Sequence, residues 1–186
     1  NDEIRLFVKN FKKEFMNAPL NKIAAPRGMN DLTKYMNEDY TAKQYEYLPE
    51  GGKKKLTIPM NATASINYNF LVNKYNLSNK YEFIENGAKI KYLPLKEPNP
   101  IKSHVIGFID DIPTEFGLND YVDKEAHFNK MFVGPLESFL VYNGWTIAEN
   151  TLLDMFGDSN IDIATTAINT KKKTIKKVEK KVTSLF

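Results

Sequence analysis

Ala88-Lys89-Ile90-Lys91-Tyr92-Leu93-Pro94-Leu95 alternates polar and apolar residues, the period of a half-buried strand. A second apolar stretch, Val105-Ile-Gly-Phe-Ile109, follows the turn chemistry of Glu97-Pro-Asn-Pro100. Together the two predict a hairpin or small sheet. The sequence on either side reads as helix. Residues 3–17 set Ile4, Leu6, Phe7, Phe11 and Phe15 at near-helical spacing among Lys and Glu, and Pro19 ends the run. Ile66, Phe70, Leu71 and Tyr75 predict a second helix from Met60 to Tyr75, entered after Pro59. Phe128, Phe132, Leu136, Phe139 and Leu140 line a third from Tyr121 to Tyr142, where Pro135 predicts a kink or break near Val133. The expected fold is α+β and mainly helical. Pro26-Arg27-Gly28-Met29-Asn30 reads as a turn. The polar, Tyr-rich stretch 37–55 reads as a long loop, ending in Pro49-Glu-Gly-Gly and Lys53-Lys54-Lys55.

The texture changes after Gly157. Ile161, Ile168, Ile175 and Val182 recur at heptad spacing, with Ala164, Val178 and Leu185 near the intervening positions. This predicts a Lys-rich amphipathic helical tail over 158–186.

A length of 186 residues suits one domain, or one domain with an appendage. The absence of Cys excludes a disulfide scaffold, a thiolate zinc site and a Cys nucleophile, and fits a reducing compartment. No apolar run approaches the ~20 residues that span a bilayer, so no membrane partner is expected. Asn1-Asp-Glu-Ile-Arg5 has neither the apolar region of a signal peptide nor an initiator Met, so the chain is expected to be a piece of something longer. The net charge of +3 hides a pattern: +5 over residues 1–80, −6 over 81–157 and +4 over 158–186. Such asymmetry points to a polyanion-facing surface on one part only. The bias of 24 Lys to 2 Arg, with 20 Asn, is what AT-rich codon usage gives and carries no functional weight.

Little in the chain suggests catalysis. His104 and His127 each lack a second His or a Cys at ligand spacing. Asp110-Asp111 follows an apolar strand and could hold a divalent metal, although a solvated turn before Pro113 explains it as well. There is no Walker loop, GxGxxG, GxSxG or HExxH. Binding is better supported. Lys53, Lys54 and Lys55 could track a phosphate backbone, and Arg27 lies in a Pro-Arg-Gly turn suited to gripping phosphate. Tyr35, Tyr40, Tyr45 and Tyr47 interleave with lysines, where packing is a commoner role than base stacking.

In order along the chain, five motifs resemble the C-terminal part of the family B replicative DNA polymerases of T-even-like tailed phages. Ala25-Pro-Arg-Gly-Met-Asn-Asp-Leu-Thr-Lys-Tyr35 resembles the turn that opens the late thumb. Ile58-Pro59 followed by Asn67-Tyr68-Asn69 resembles the next helix, which ends in Tyr-Asn. Glu85-Asn-Gly-Ala-Lys-Ile-Lys-Tyr-Leu-Pro-Leu-Lys-Glu-Pro-Asn99 is similar to the family's Gly-x-Lys-x-x-Tyr-x-Leu-Pro-Leu-(basic)-Glu-x-Asn segment. Phe128-Asn-Lys-Met-Phe-Val-Gly-Pro-Leu-Glu137 resembles its Lys-x-Phe-x-x-Pro-Leu-Glu helix, and Thr151-Leu-Leu-Asp-Met-Phe156 its Ser-Leu-Phe-Asp-Met-Phe end.

The resemblance implies a thumb-like domain over 1–157, with residues 1–18 closing the palm or opening the thumb. It implies a grip on duplex DNA through phosphates, with Lys22, Arg27, Gly28, Asn30, Lys34, Lys53, Lys54 and Lys55 as candidate contacts. It brings no active site: the metal-binding and exonuclease carboxylates lie upstream in that family. The chain alone is therefore expected to be non-catalytic and without a cofactor, while the parent would be a Mg²⁺-dependent DNA-directed DNA polymerase in the cytoplasm of an infected bacterial host. The implied partners are duplex DNA, the remaining polymerase domains and a sliding clamp. Two segments resemble clamp peptides: Leu152, Leu153, Met155 and Phe156 at the family position, and Leu185 with Phe186 at the very end. Thr63-Ala64 stands where the family commonly has Arg-Gly, which removes a phosphate contact or moves it to Lys53–Lys55. The rival reading is a stand-alone clamp-binding adaptor without a DNA role. A weaker third is a metal-dependent nuclease using Asp110 and Asp111.

Overall fold

The computed structural model describes residues 2–142. The chain divides into two units, residues 11–135 and residues 1–10 with 136–186. Helix α1 (Asp2–Asn17) and helix α6 (Gly134–Tyr142) each run across a unit boundary. The unit of residues 11–135 is an α+β fold that contains a three-stranded sheet, ordered β1 (Arg27–Gly28), β4 (Lys89–Pro94), β5 (Val105–Phe108).

Its core is one helix laid on that sheet. Strands β4 (Lys89–Pro94) and β5 (Val105–Phe108) pair antiparallel, with Leu93 opposite Ile106 and Tyr92 opposite Gly107. Helix α4 (Met60–Lys74) packs on β5 through small residues, with Ala62, Ala64 and Ser65 all buried. The approach is close enough that a Cβ on Gly107 would stand 2.8 Å from the carbonyl oxygen of Ala64. Ile66, Leu71, Val72, Ile90, Leu93, Ile106 and Phe108 fill the rest of the core. Burial pushes the Tyr68 hydroxyl up to about 12, and its ring meets Phe116 edge-on at 5.7 Å. The helix forms where the sequence places it, but Phe70 and Tyr75 are exposed. Ile66 and Leu71 of that spacing are buried, and Ala, Ser and Asn complete the buried face and let the backbones approach.

Asparagines secure the segments around this core. The Asn69 side chain accepts from the Ile84 N–H and donates to the Ile84 carbonyl, both at 2.8 Å. Asn99 donates to the carbonyls of Lys96 and Ser103 at 2.8 Å, closing the turn between β4 and β5. Beyond β5, the Glu115 carboxylate takes hydrogen bonds from the Lys80 ammonium and the Tyr81 hydroxyl, which draws its pKa down to about 2.

The expected third helix is broken in the structure. Asn119–Tyr121 is a 3₁₀ turn, and α5 (Lys124–Phe128) begins at an Asp123 cap whose carboxylate accepts from Ala126 N–H at 2.9 Å. A π-helical turn, Asn129–Val133, then precedes Gly134-Pro135. Pro135 has no N–H and would crowd the carbonyl four residues back, so the wider turn absorbs the break predicted near Val133. Phe11 of α1 meets Phe128 and Phe132, and Phe15 meets Phe128, with ring centroids 4.7–5.9 Å apart. The Lys124 ammonium donates to the carbonyls of Met16 and Ala18 at 2.8 and 2.9 Å, closing the C-terminus of α1.

Two readings of the sequence need correction. Arg27–Gly28 is a short edge strand, β1, paired with Ile90 and Lys89. The stretch 37–55 is no open loop. It folds back through a tight bend at 36–42 and then forms an antiparallel hairpin of β2 (Tyr45–Tyr47) and β3 (Lys53–Lys55). Among the described residues, no helix is long and apolar enough to cross a membrane. The predicted tail over 158–186 lies outside the described residues.

Candidate nucleic-acid interface

The Pro-Arg-Gly segment is fixed from beneath. Met29 and Leu32 are buried, and Arg27, Gly28, Asn30, Asp31 and Lys34 are left on the outside. Backbone bonds carry the β1–β4 ladder past its ends: Met29 N–H donates to Ala88 O at 2.9 Å, and Gly87 N–H donates to Met29 O at 2.7 Å. Gly87 stands at φ +87°, a conformation side chains resist, which is why this tight return needs glycine. The Asn86 side-chain Oδ1 accepts from Leu32 N–H at 2.5 Å, at the start of the short helix α3 (Leu32–Tyr35). The Asn61 amide of α4 donates to Gly28 O at 3.3 Å. Three of the motifs quoted above, at 25–35, 58–69 and 85–99, therefore meet around Gly28.

Gly28 offers bare backbone at this rim, since a Cβ there would have nothing within 4 Å. Lys89 stands directly across the strand pair from Gly28 and is exposed. Paired residues share a face, so its ammonium rises beside the open backbone. The sequence reading overlooked Lys89, although the Gly-x-Lys spacing at Gly87 was the available signal. Lys22 is exposed in the last turn of α2 (Leu20–Ile23). In the same short helix, Ile23 O accepts from His127 Nε2 at 3.0 Å.

The hairpin follows directly on the rim. Lys43 donates through its backbone N–H to Tyr35 O at 2.8 Å and through its ammonium to Thr33 O at 2.7 Å. Lys34 lies 3.7 Å from Glu46 of β2. Leu48 N–H donates to Gly52 O at 2.8 Å to close the hairpin, and Gly51 turns the corner at φ +84°. The register sets Tyr45 against Lys55, Glu46 against Lys54 and Tyr47 against Lys53. The three lysines therefore do not form one cluster. Strand alternation sends Lys54 to the face of Glu46, and Lys53 and Lys55 to the face of Tyr45 and Tyr47. Of the four tyrosines noted in the sequence, Tyr40 stacks on Phe83 at 4.5 Å and Tyr35 packs against the core, whereas Tyr45 and Tyr47 are exposed.

Asp110 and Asp111 are both exposed in the bend after β5. The described residues contain no group of three or more carboxylates or histidines that could hold a metal ion. The candidate clamp anchors Leu152, Leu153, Met155, Phe156, Leu185 and Phe186 lie outside the described residues.

No family model matches the chain. Over 161 residues, 84% of its length, the chain is 24% identical to the DNA-directed DNA polymerase of Enterobacteria phage T4. That stretch is 16% of the polymerase, so the chain is similar to one polymerase-related segment.

Proposed function

We propose that this chain is the thumb-like part of a family B phage DNA polymerase, and that its task is to hold duplex DNA by its phosphates. The observation that carries the reading is the convergence of the three motifs on Gly28, with Arg27 and Lys89 exposed at an open backbone edge. The likeness to the T4 polymerase supports the same partner class. Asn30, Lys34, Lys22 and Lys54, which shares the Glu46 face of the hairpin, extend this basic surface. Contacts of this kind position a duplex without reading its sequence. The polymerase activity, its Mg²⁺ and the other domains belong to the parent protein under this proposal.

The test is a salt titration of duplex binding by the full chain. Each phosphate neutralised contributes about −0.9 to the slope of log affinity against log salt. Arg27→Ala and Lys89→Ala should each weaken binding and flatten that slope. Equal affinity and slope for parent and both variants would overturn the assignment of the rim.

The proposal extends to a sliding clamp, taken up by apolar anchors in the C-terminal region. Leu and Phe side chains each contribute roughly 1.5–3 kcal/mol when buried in a pocket. The candidate anchors are Leu185 with Phe186, and Leu152, Leu153 and Met155 with Phe156. Titrating the clamp with peptides 176–186 and 148–158 compares them directly. Binding by one peptide alone would assign the contact to its anchors; binding by neither, with clamp binding by the whole chain unchanged after deletion of residues 158–186, would overturn the assignment to Leu185 and Phe186.

A further inference from the structure

The β2–β3 hairpin sorts its side chains by chemistry. One face holds Glu46 with Lys54, and Glu46 also approaches Lys34. The other holds Tyr45, Tyr47, Lys53 and Lys55, with no acidic residue of either strand on that face to offset the two cations. Tyr47 is 83% exposed and Tyr45 41% exposed. The Lys53 ammonium lies 4.9 Å from the centre of the Tyr45 ring. That contact holds a cation over one aromatic ring while the neighbouring ring stays open to solvent.

We infer that this face takes an unpaired nucleic-acid strand. Tyr47 stacks on a base, and Lys53 and Lys55 hold the flanking phosphates. Charge complementarity selects a polyanion. The exposed ring selects one whose flat bases are accessible, which a paired duplex does not offer along its side. A two-stranded ribbon with a short closed turn presents these groups in fixed register, so little order is lost on binding. The inference rests on the nucleic-acid reading above for the class of partner only. It adds that the hairpin and the Gly28 rim meet different forms of that partner.

The experiment uses the full chain, a thymidine oligomer, an abasic oligomer of the same length and a duplex. The abasic strand keeps the phosphates and removes the bases. Tyr47→Ala should weaken binding of the thymidine oligomer roughly fivefold or more, as loss of one base stack does. It should leave the abasic strand and the duplex bound as by the parent. Tyr47→Phe should restore thymidine binding, and Lys53→Ala should weaken both single strands. Because Tyr47 is so exposed, these variants fold as the parent does. Unchanged thymidine binding by Tyr47→Ala, or an equal loss for the thymidine and abasic strands, would overturn the inference. A parent chain that binds no duplex would overturn the rim proposal instead, and the single-strand comparison would still decide this one.

Discussion

Asn69 and Ile84 are joined as two strand residues would be, except that one partner is a side chain. The Asn69 amide accepts from Ile84 N–H and donates to Ile84 C=O, each at 2.8 Å, and both residues are buried. An extended segment with no neighbouring strand thereby has its backbone satisfied by a helix. Asn69→Leu would leave that N–H and C=O buried without partners. The expected loss is about 2–6 kcal/mol, from two unsatisfied groups at roughly 1–3 each. Urea unfolding of the two proteins measures it, and a midpoint unchanged from the parent would refute the role.

Gly107 and Gly28 predict opposite outcomes for the same substitution. A Cβ on Gly107 would meet the Ala64 backbone at 2.8 and 2.9 Å, where no flexible atom can yield. Gly107→Ala should therefore destabilise by about 1–3 kcal/mol. Gly28→Ala meets nothing within 4 Å and should stay within about 0.5 kcal/mol of the parent. If a phosphate does approach the backbone at Gly28, that variant should still weaken duplex binding. Thermal unfolding and a duplex titration on both variants separate the two effects.

Glu46 restrains a candidate contact. It lies 3.7 Å from Lys34 across an exposed ion pair, an arrangement worth little to stability. Glu46→Gln releases that lysine to a phosphate. The expected result is tighter duplex binding with a steeper salt slope, by at most about 0.9, and an unchanged unfolding temperature. Weaker binding by Glu46→Gln would show that the pair serves the interface intact.

His127 makes stability depend on pH in a defined direction. Burial pulls its pKa below the ordinary 6.5, with a smaller contribution from nearby Lys130. The fold favours the neutral ring, with an Nε2 N–H facing Ile23 O at 3.0 Å. The unfolded chain binds the proton more readily, so this contribution is complete above about pH 6.5 and is lost as pH falls below it. Unfolding midpoints between pH 7.5 and 5.5 should fall in the parent. They should fall less in His127→Gln, whose side chain cannot titrate. Parallel curves for the two would exclude His127 as the cause.

The strands at Lys89–Pro94 and Val105–Phe108 were legible because alternation and an unbroken apolar run are direct signals of half-buried and buried strands. The break before Pro135 was legible because proline acts locally. Helix α4 is legible from Ile66 and Leu71, which are buried, while Phe70 and Tyr75 of the same spacing are exposed. Its closest packing runs through small residues and Asn69, which carry no apolar signal. Burial by close backbone approach leaves no large side chain to mark it. The hairpin at Tyr45–Lys55 was read as loop because its strands are short and polar, with neither face in the core. Its Gly51-Gly52 corner was the clue. At the candidate interface Arg27 and Gly28 stood out as rare chemistry in a lysine-rich chain. Lys89 did not, because its importance comes from a pairing partner distant in sequence.

The struts that hold the Gly28 rim in place, Asn61 and Asn86 with the backbone of Met29, Gly87 and Ala88, are all uncharged. Dissolved ions weaken attractions between charges and leave neutral dipoles in close contact almost untouched. Raising the ionic strength should accordingly strip a bound polyanion from this edge while the edge itself keeps its shape. The scaffold is transparent to the variable that governs its proposed cargo, so release by salt and collapse by salt are separable on this molecule.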